Sequence, residues 1–357
     1  MSRFTIRQFQ PGDEDSINQL YLQVTGRSRS QDQYLWQWHQ SPSGPGDIWL
    51  IHDAEEDGKL IGHHGVMPIR FTKGSKNLLF GKIENTMVLP EYRDKIIYPR
   101  YELKFKREYE RRYDALFATM GPAPAIRVRK AAGYAFPVEW QSYLLGTSSW
   151  STIGCFNFAS RSIARKFFKS SSATSEVFFK QQSISGFLDS NEAAQNPFFE
   201  RFWLEARHAY GVAPRRDRED LNWRFWNNPY KQCFTLIIDS VSCRGYAIIS
   251  IRDGLARLED YAVSNPNREC YRTLFDQLFY LLRRNAIFLL SVTTTDDFAL
   301  SVALQEFKDR ELICNRLLKR IRRRPSARMP RFITKNGESK GLGLHDWFVT
   351  GLIFEGR

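Results

Sequence analysis

The sequence has few cysteines, no long apolar run and a shortage of acidic residues. Five scattered cysteines without a Cys-x-x-Cys pair argue against a disulfide framework and a zinc site, so we expect reduced thiols and no metal. The apolar runs fall short of the roughly 18 to 20 residues that cross a bilayer, and the first residues lack the apolar stretch of a secretion signal. These absences predict a cytoplasmic protein.

Basic residues outnumber acidic ones by 52 to 39, which gives a net charge of +13. Such a protein attracts nucleic acid, anionic lipid or a phosphorylated cofactor, and charge alone does not choose among them. Residues 156–169 fit a helix with one apolar and one basic face, suited either to a domain junction or to a membrane surface. Residues 316–331 contain eight basic residues and no acidic one. Peripheral membrane contact through these segments remains an open alternative.

A length of 357 residues suggests two domains, and a weak internal repeat supports duplication. Residues 36–42 and 223–229 share a Trp-x5-Pro frame, and each frame is followed by a strand, a turn and a strand that begins near a glycine. We therefore predict a first domain over 1–145, a connector over 146–196 and a second domain over 197–357. The repeated tryptophans favour packing, with a sugar-stacking platform as the alternative.

The periodicity of the first domain predicts the order β-α-α-β-β-β-α-β-α, followed by a further strand. Alternation of polar and apolar residues marks the first strand, and Asp57-Gly58 suits the tight turn of a hairpin. The pattern predicts an α/β (α+β) fold class in which a mixed, mostly antiparallel twisted sheet is flanked by helices. The predicted strands are 3–9, 47–53, 60–72, 80–89 and 115–120.

Residues 83–98, IENTMVLPEYRDKIIY, resemble the strand, phosphate-binding turn and helix start of GNAT-type N-acyltransferases. The resemblance covers residues 3–140, and 200–355 more weakly, and it implies two GNAT-like domains. In this family, backbone N–H groups at the helix start bind the pyrophosphate of coenzyme A. Here Ile96 and Tyr98 stand at the two positions where the family has small residues. The cofactor-binding residues implied are Val88, Arg93, Asp94, Lys95, Ile96, Ile97 and Tyr98.

Residues 120–134, MGPAPAIRVRKAAGY, are similar to the later GNAT segment in which one strand splays away from its neighbour. That splay lets pantetheine pair with the strand backbone, so the resemblance adds Gly121 and Arg127 to the cofactor-binding residues. The tyrosine that protonates the departing thiolate in many relatives has no counterpart, because Val128 or Arg129 stands at its place.

Amide formation requires a neutral amine, so a carboxylate or imidazole must accept a proton. Glu84 corresponds to the position where many relatives hold this base, and it is our first candidate. His63 and His64 are the others, and strand alternation means that only one of them faces a cleft. The alternative interpretation of Glu84 is a carboxylate paired with Arg70, Lys82 or the helix end.

The leading hypothesis is an acyl-CoA-dependent N-acyltransferase that uses acetyl-CoA or another acyl-CoA as co-substrate and acylates a small-molecule amine. An amino sugar or a cell-envelope precursor is the suggested acceptor, and no nucleic acid partner is expected. One alternative is an aminoacyltransferase of the FemABX type that uses aminoacyl-tRNA. The other is a non-catalytic GNAT-fold module that binds an anionic partner. Residues 263–272 contain no phosphate turn, so we expect the second domain to be degenerate for cofactor binding.

Overall fold

The computed structural model divides the chain into two compact units. The first comprises Met1–Glu139 and Pro330–Asp346, and the second comprises Trp140–Met329 and Trp347–Arg357. The predicted basic helix at 156–169 and most of the segment 316–331 lie outside the described residues. No helix in the described part of the chain is both long and apolar enough to cross a membrane. The structure describes residues 3–95, 97–118, 123–139, 141–147, 184–252, 254–306, 331–335 and 347–350.

The helices and strands are numbered in chain order. The strands are β1 (Phe4–Gln8), β2 (Asp47–Asp53), β3 (Lys59–Lys73), β4 (Lys76–Val88), β5 (Ala115–Ala118), β6 (Ala135–Glu139), β7 (Gln141–Gly146), β8 (Val212–Pro214), β9 (Cys233–Asp239), β10 (Arg244–Arg252), β11 (Leu255–Val263), β12 (Leu289–Thr294) and β13 (Arg331–Lys335). The helices are α1 (Glu14–Thr25), α2 (Gln31–Trp38), α3 (Ile97–Arg112), α4 (Ala123–Ala131), α5 (Ser190–Gln195), α6 (Phe198–Ala206), α7 (Arg218–Leu221), α8 (Arg268–Arg284) and α9 (Asp297–Glu306). Short 3-10 segments span Pro90–Lys95 and Arg207–Ala209, and a π-helical turn spans Asn222–Trp226.

The strands of the first unit follow the order β1-β2-β3-β4-β5-β13-β6. β1 to β4 pair antiparallel, and α3 then leads to β5, which is parallel to β4. Local signals start the helices: Ser30 accepts a hydrogen bond from the Gln33 N–H, and Gln33 closes a capping box at the beginning of α2. The predicted element order of this unit is confirmed, as is a mixed α/β fold with helices flanking the sheet.

The second unit has a sheet with the order β7-β12-β11-β10-β9. β9, β10 and β11 pair antiparallel, α8 follows, and β12 is parallel to β11. The first unit has the same sequence of steps in β2, β3, β4, α3 and β5, although duplication itself remains a prediction. The apolar residues 286–294, AIFLLSVTT, predict a strand from Ala286. The strand begins later, at Leu289, because Ile287 N–H donates to the Leu282 carbonyl and Ala286 has a φ of 56° at the end of α8.

The C-terminal part of the chain differs from the predicted division. β13 pairs with β5 on one side and with β6 on the other, within the sheet of the first unit, whereas the sequence analysis placed 197–357 in the second domain. The apolar composition of residues 345–357 predicts a final strand, and the structure describes this segment only over 347–350. There, Trp347 forms a single parallel bridge with Val212. Composition does not indicate which sheet a short strand joins, because that choice depends on a partner far away in the sequence.

Candidate active site

A β-bulge in β4 lies beside the three predicted catalytic residues. Cα pairing between β3 and β4 passes from His63–Met87 to Gly65–Glu84, so β4 uses one more residue than β3. Asn85 lies within this step and has a left-handed φ of 47°, which is uncommon for a residue other than glycine. A bulge interrupts regular pairing and redirects nearby side chains. The sheet is therefore locally irregular where the predicted site lies.

His63 is held on one face of the sheet by Trp38 and by the bulge. Its Nδ1 lies 2.7 Å from the Asn85 carbonyl oxygen, and its ring centroid lies 5.4 Å from that of Trp38. A carbonyl oxygen only accepts, so Nδ1 carries the proton and Nε2 of the neutral ring has a free lone pair. Burial lowers the pKa of His63 to about 3, and Nε2 has no hydrogen-bond partner. His63 is thus a neutral acceptor in a buried position.

Polar atoms of residues near His63 are also buried without a hydrogen-bond partner. They are the Trp38 Nε1, the Tyr34 hydroxyl and the Asn85 Nδ2. Tyr34 and Trp38 are one helical turn apart on α2, so they share a helix face. Buried polar atoms of folded proteins are nearly always hydrogen-bonded, and exceptions often mark functional sites. The arrangement suits a ligand group that both donates and accepts hydrogen bonds.

His64 points to the opposite face of the sheet, as strand alternation predicts. Its ring stacks on Phe105 of α3 with a centroid distance of 4.5 Å and an interplanar angle of 7°. Its Nδ1 lies 3.2 Å from the Thr86 hydroxyl oxygen. Burial, together with the positive charge of Arg129, lowers the pKa of His64 to about 3. Both histidines are therefore neutral near pH 7, but they face different surroundings.

Glu84 is the most accessible of the three predicted catalytic residues. It pairs with Gly65, two residues from His63, so Glu84 and His63 lie on the same face of the sheet. Its Oε2 accepts a hydrogen bond from the Lys82 Nζ at 2.6 Å, and the side chains of Lys82 and Glu84 are 1% and 17% exposed. Lys82 is one of the partners expected from the sequence. The ion pair fixes the position of a carboxylate that still reaches solvent.

β4 continues beyond its pairing with β5. The recorded pairs between the two strands run from Phe80–Ala115 to Lys82–Phe117, while β4 extends to Val88. The described pairing with β5 therefore ends at Lys82, before β4 itself ends. A strand that extends beyond its neighbour can present N–H and C=O groups to which an extended chain can hydrogen-bond.

The turn between β4 and α3 carries several of the predicted cofactor-binding residues. The side chains of Arg93, Asp94 and Lys95 are exposed, and Arg93 Nε donates a hydrogen bond to the Val88 carbonyl at 3.2 Å. Lys95 lies over the Tyr92 ring with its Nζ 4.4 Å from the centroid. Ile97 and Tyr98 begin α3, Arg127 is exposed on α4, and Ile96 and Gly121 lie outside the described residues.

Residues 5–120 match the family model described as an acetyltransferase (GNAT) domain. The solved structures similar to the chain include a GCN5-related N-acetyltransferase from Anabaena variabilis ATCC 29413, with 15% identity and a TM-score of 0.59. The similarity covers 96% of this chain and 75% of that one. The fold is GNAT-like. A probable N-acyltransferase from Enterococcus faecalis V583 is 12% identical with a TM-score of 0.56, covering 94% and 72% of the two chains.

Saccharomyces cerevisiae N-myristoyltransferase with bound myristoyl-CoA is a further structural neighbour. It is 10% identical, with a TM-score of 0.52, and the similarity covers 86% of this chain and 76% of that one. No curated protein matches the sequence. The family model covers residues 5–120, and these neighbours support the GNAT-like fold. They leave the acyl group and the acceptor open.

Sequence reasoning missed two residues of this GNAT-like site. Asn85 gave no signal, because its importance arises from the left-handed backbone of the bulge. Trp38 was assigned to packing, and it is fully buried, but its position against His63 also places it in the site. A bulge has no composition signature of its own, whereas tryptophan is as common in cores as in binding sites.

Gly65 is the closest point of contact between β3 and Trp38, and we expect Gly65→Ala to destabilise the protein by about 1–3 kcal/mol. A Cβ at this position would lie 2.1 Å from the Trp38 ring, which is fully buried and has little freedom to move. Chemical denaturation would measure the loss. In a Trp38→Phe background the same substitution should cost less, since the smaller ring leaves room for the methyl group. An equal cost in both backgrounds would contradict the steric explanation.

Proposed function

We propose that the protein is an acyl-CoA-dependent N-acyltransferase that transfers an acyl group to a primary amine. The observation that carries the proposal is the edge of β4 beyond Lys82, where the described pairing with β5 ends. β4 continues to Val88 and leads directly into the turn Pro90–Lys95 and the start of α3. An extended pantetheine chain can hydrogen-bond to such an edge. The edge of β4 can therefore bind the pantetheine arm of a coenzyme A donor, and the adjacent start of α3 can bind its phosphates.

The residues at the start of α3 fit a phosphate group. Backbone N–H groups of the first turn of a helix attract anions, and Arg93 and Lys95 add exposed positive charge. Asp94 adds a negative charge. The other proposed binding residues are Val88, Ile96, Ile97, Tyr98, Gly121 and Arg127. When bound, acetyl-CoA or another acyl-CoA supplies an acyl group as a thioester, which an amine can attack.

Glu84 is the proposed general base. Its carboxylate is held by Lys82 and reaches solvent, so it can accept a proton from the amine and pass it to water. The Nε2 lone pair of His63, on the same face of the sheet, can accept a hydrogen bond from the amine and orient it. Because burial lowers the pKa of His63 to about 3, its role is to orient the amine rather than to keep the proton. His64, on the other face, is not assigned a proton transfer.

The acceptor and the location remain predictions. An amino sugar or a cell-envelope precursor is the acceptor class we propose, in the cytoplasm or at the membrane surface. The basic segments that would support tRNA or membrane contact, 156–169 and 316–330, lie outside the described residues. We propose no catalytic residue in the second unit.

Calorimetric titration with acetyl-CoA tests whether the protein binds the donor. We expect Arg93→Glu to weaken this binding by about 10- to 100-fold, which is the usual loss of affinity when one charge-assisted hydrogen bond is removed. Arg107→Glu is the matched control because it makes the same charge change on an exposed residue of α3. Arg107 lies about 15 Å along the helix from its start, so binding should change little. Longer acyl-CoA donors should be titrated in parallel, since the acyl chain is not assigned.

The absence of binding heat with both acetyl-CoA and longer acyl-CoA would contradict the proposed function. In that case, tRNA that co-purifies and dissociates steeply with salt would favour the aminoacyltransferase alternative. Binding to anionic vesicles or RNA without any acyl-CoA binding would favour the non-catalytic module.

A further inference from the structure

Arg129 is the buried member of the basic end of α4. Its side chain is only 4% exposed, whereas its neighbours Arg127 and Lys130 are exposed. The Nε and Nη1 atoms of Arg129 are buried and have no hydrogen-bond partner. The backbone at this position is fixed, because Tyr134 N–H donates to the Arg129 carbonyl oxygen at 3.0 Å. α4 thus directs a single guanidinium group into the interior.

This charge is not balanced by the described residues around it. An arginine stays protonated in proteins, and a buried charge without a partner is strongly destabilising. Within the described part of the chain, no carboxylate forms an ion pair with Arg129. His64 does not compensate either, because an imidazole ring is either neutral or positively charged and cannot balance a cation. The position is therefore suited to an anion that arrives with a ligand.

We propose that Arg129 binds a carboxylate group carried by one of the two substrates, either the acyl chain of the donor or the body of the amine acceptor. The inference rests on the proposed acyl transfer and deepens it by assigning a substrate class.

The surroundings favour a carboxylate over a phosphate. The planar guanidinium group matches the two oxygens of a carboxylate. The Arg129 charge lowers the pKa of His64, and the His64 ring stacks on Phe105 at 4.5 Å and lies 6.0 Å from the ring of Tyr109, so aromatic rings surround this histidine. A carboxylate carries one charge and needs few hydrogen-bond donors, whereas a pyrophosphate needs many. The exposed Arg93 and Lys95 at the start of α3 already suit the phosphates.

The test uses pairs of ligands that differ only in charge. In the donor arm, calorimetry compares succinyl-CoA with its neutral amide counterpart, succinamoyl-CoA. In the acceptor arm, kcat/KM with acetyl-CoA compares β-alanine with β-alaninamide. We expect wild type to prefer the carboxylate in one arm by about 10-fold or more, the value of a charge-assisted hydrogen bond. The arm that shows the preference identifies the substrate that carries the carboxylate.

Arg129→Gln is expected to abolish this preference and to leave binding of acetyl-CoA unchanged. Lys130→Gln removes the same charge from an exposed neighbour and should keep the preference. Equal affinities for the two donors together with equal kcat/KM values for the two acceptors in wild type, or a preference that survives Arg129→Gln, would overturn the proposal. If Arg129→Gln does not fold, the wild-type comparison still decides, and Arg129→Lys should weaken the preference because it loses the planar donor group.

A separate measurement distinguishes failure of this inference from failure of the proposed function. If no acyl-CoA binds, sodium succinate at constant ionic strength should still raise the melting temperature of wild type more than neutral succinamide does. Arg129→Gln should remove that difference. No difference in wild type would overturn the carboxylate site, whereas acyl-CoA binding without carboxylate preference would leave the proposed function intact.

Discussion

Asp260→Ala is expected to lower the free energy of unfolding by about 3–5 kcal/mol. Asp260 and Arg216 form an ion pair in the second unit in which both side chains are fully buried, with Arg216 Nε 3.1 Å from the carboxylate. The hydroxyl of Tyr246 donates to the same carboxylate at 2.5 Å, and Thr350 is a further donor. Removal of the carboxylate would leave a buried guanidinium and two buried hydroxyls without their acceptor.

Asp239→Ala provides the matched control for this prediction. Asp239 also pairs with an arginine, since Arg244 Nε lies 2.8 Å away, but its side chain is 57% exposed. An exposed pair of this kind contributes about 0–1 kcal/mol. Denaturant titration of both variants would compare the two losses, and similar losses would contradict the view that burial of the pair makes Asp260 important.

Glu84→Gln is expected to lower kcat for acyl transfer by roughly 100- to 10,000-fold, the usual contribution of general base catalysis. The glutamine side chain keeps the shape of Glu84 but does not accept a proton from the amine. The affinity for acyl-CoA should stay the same, because Glu84 is not among the residues proposed to bind the donor. A rapid acyl-transfer assay at saturating donor would measure the change, with Glu108→Gln on α3 as an exposed control.

A second variant separates catalysis from stability. Lys82 is 1% exposed, so Glu84→Gln also leaves a buried ammonium group without its charged partner. The double variant Lys82→Met/Glu84→Gln replaces the ion pair and should recover part of the stability without recovering activity. Recovery of full activity together with stability would assign Glu84 a structural role and contradict its role as base.

The candidate site could be predicted in part. Strand alternation correctly placed His63 and His64 on opposite faces of the sheet, because successive side chains of any regular strand point in opposite directions. Lys82 as a partner of Glu84 was also foreseen, because residues i and i+2 of a strand share a face. The burial of Arg129 was not foreseen. Its burial depends on how α4 packs, and basic residues near a helix end are usually solvated.

The sequence by itself determined the order of strands and helices, since hydrophobic periodicity and capping residues act over a few neighbouring positions. It also determined the basic charge and the resemblance of 83–98 to a GNAT segment. Only the tertiary structure decided that β13 joins the first sheet, that β4 bulges at Asn85, and that Trp38 lies against Gly65 and His63. These features depend on contacts between residues far apart in the chain, and local patterns contain no information about which distant partner a segment meets.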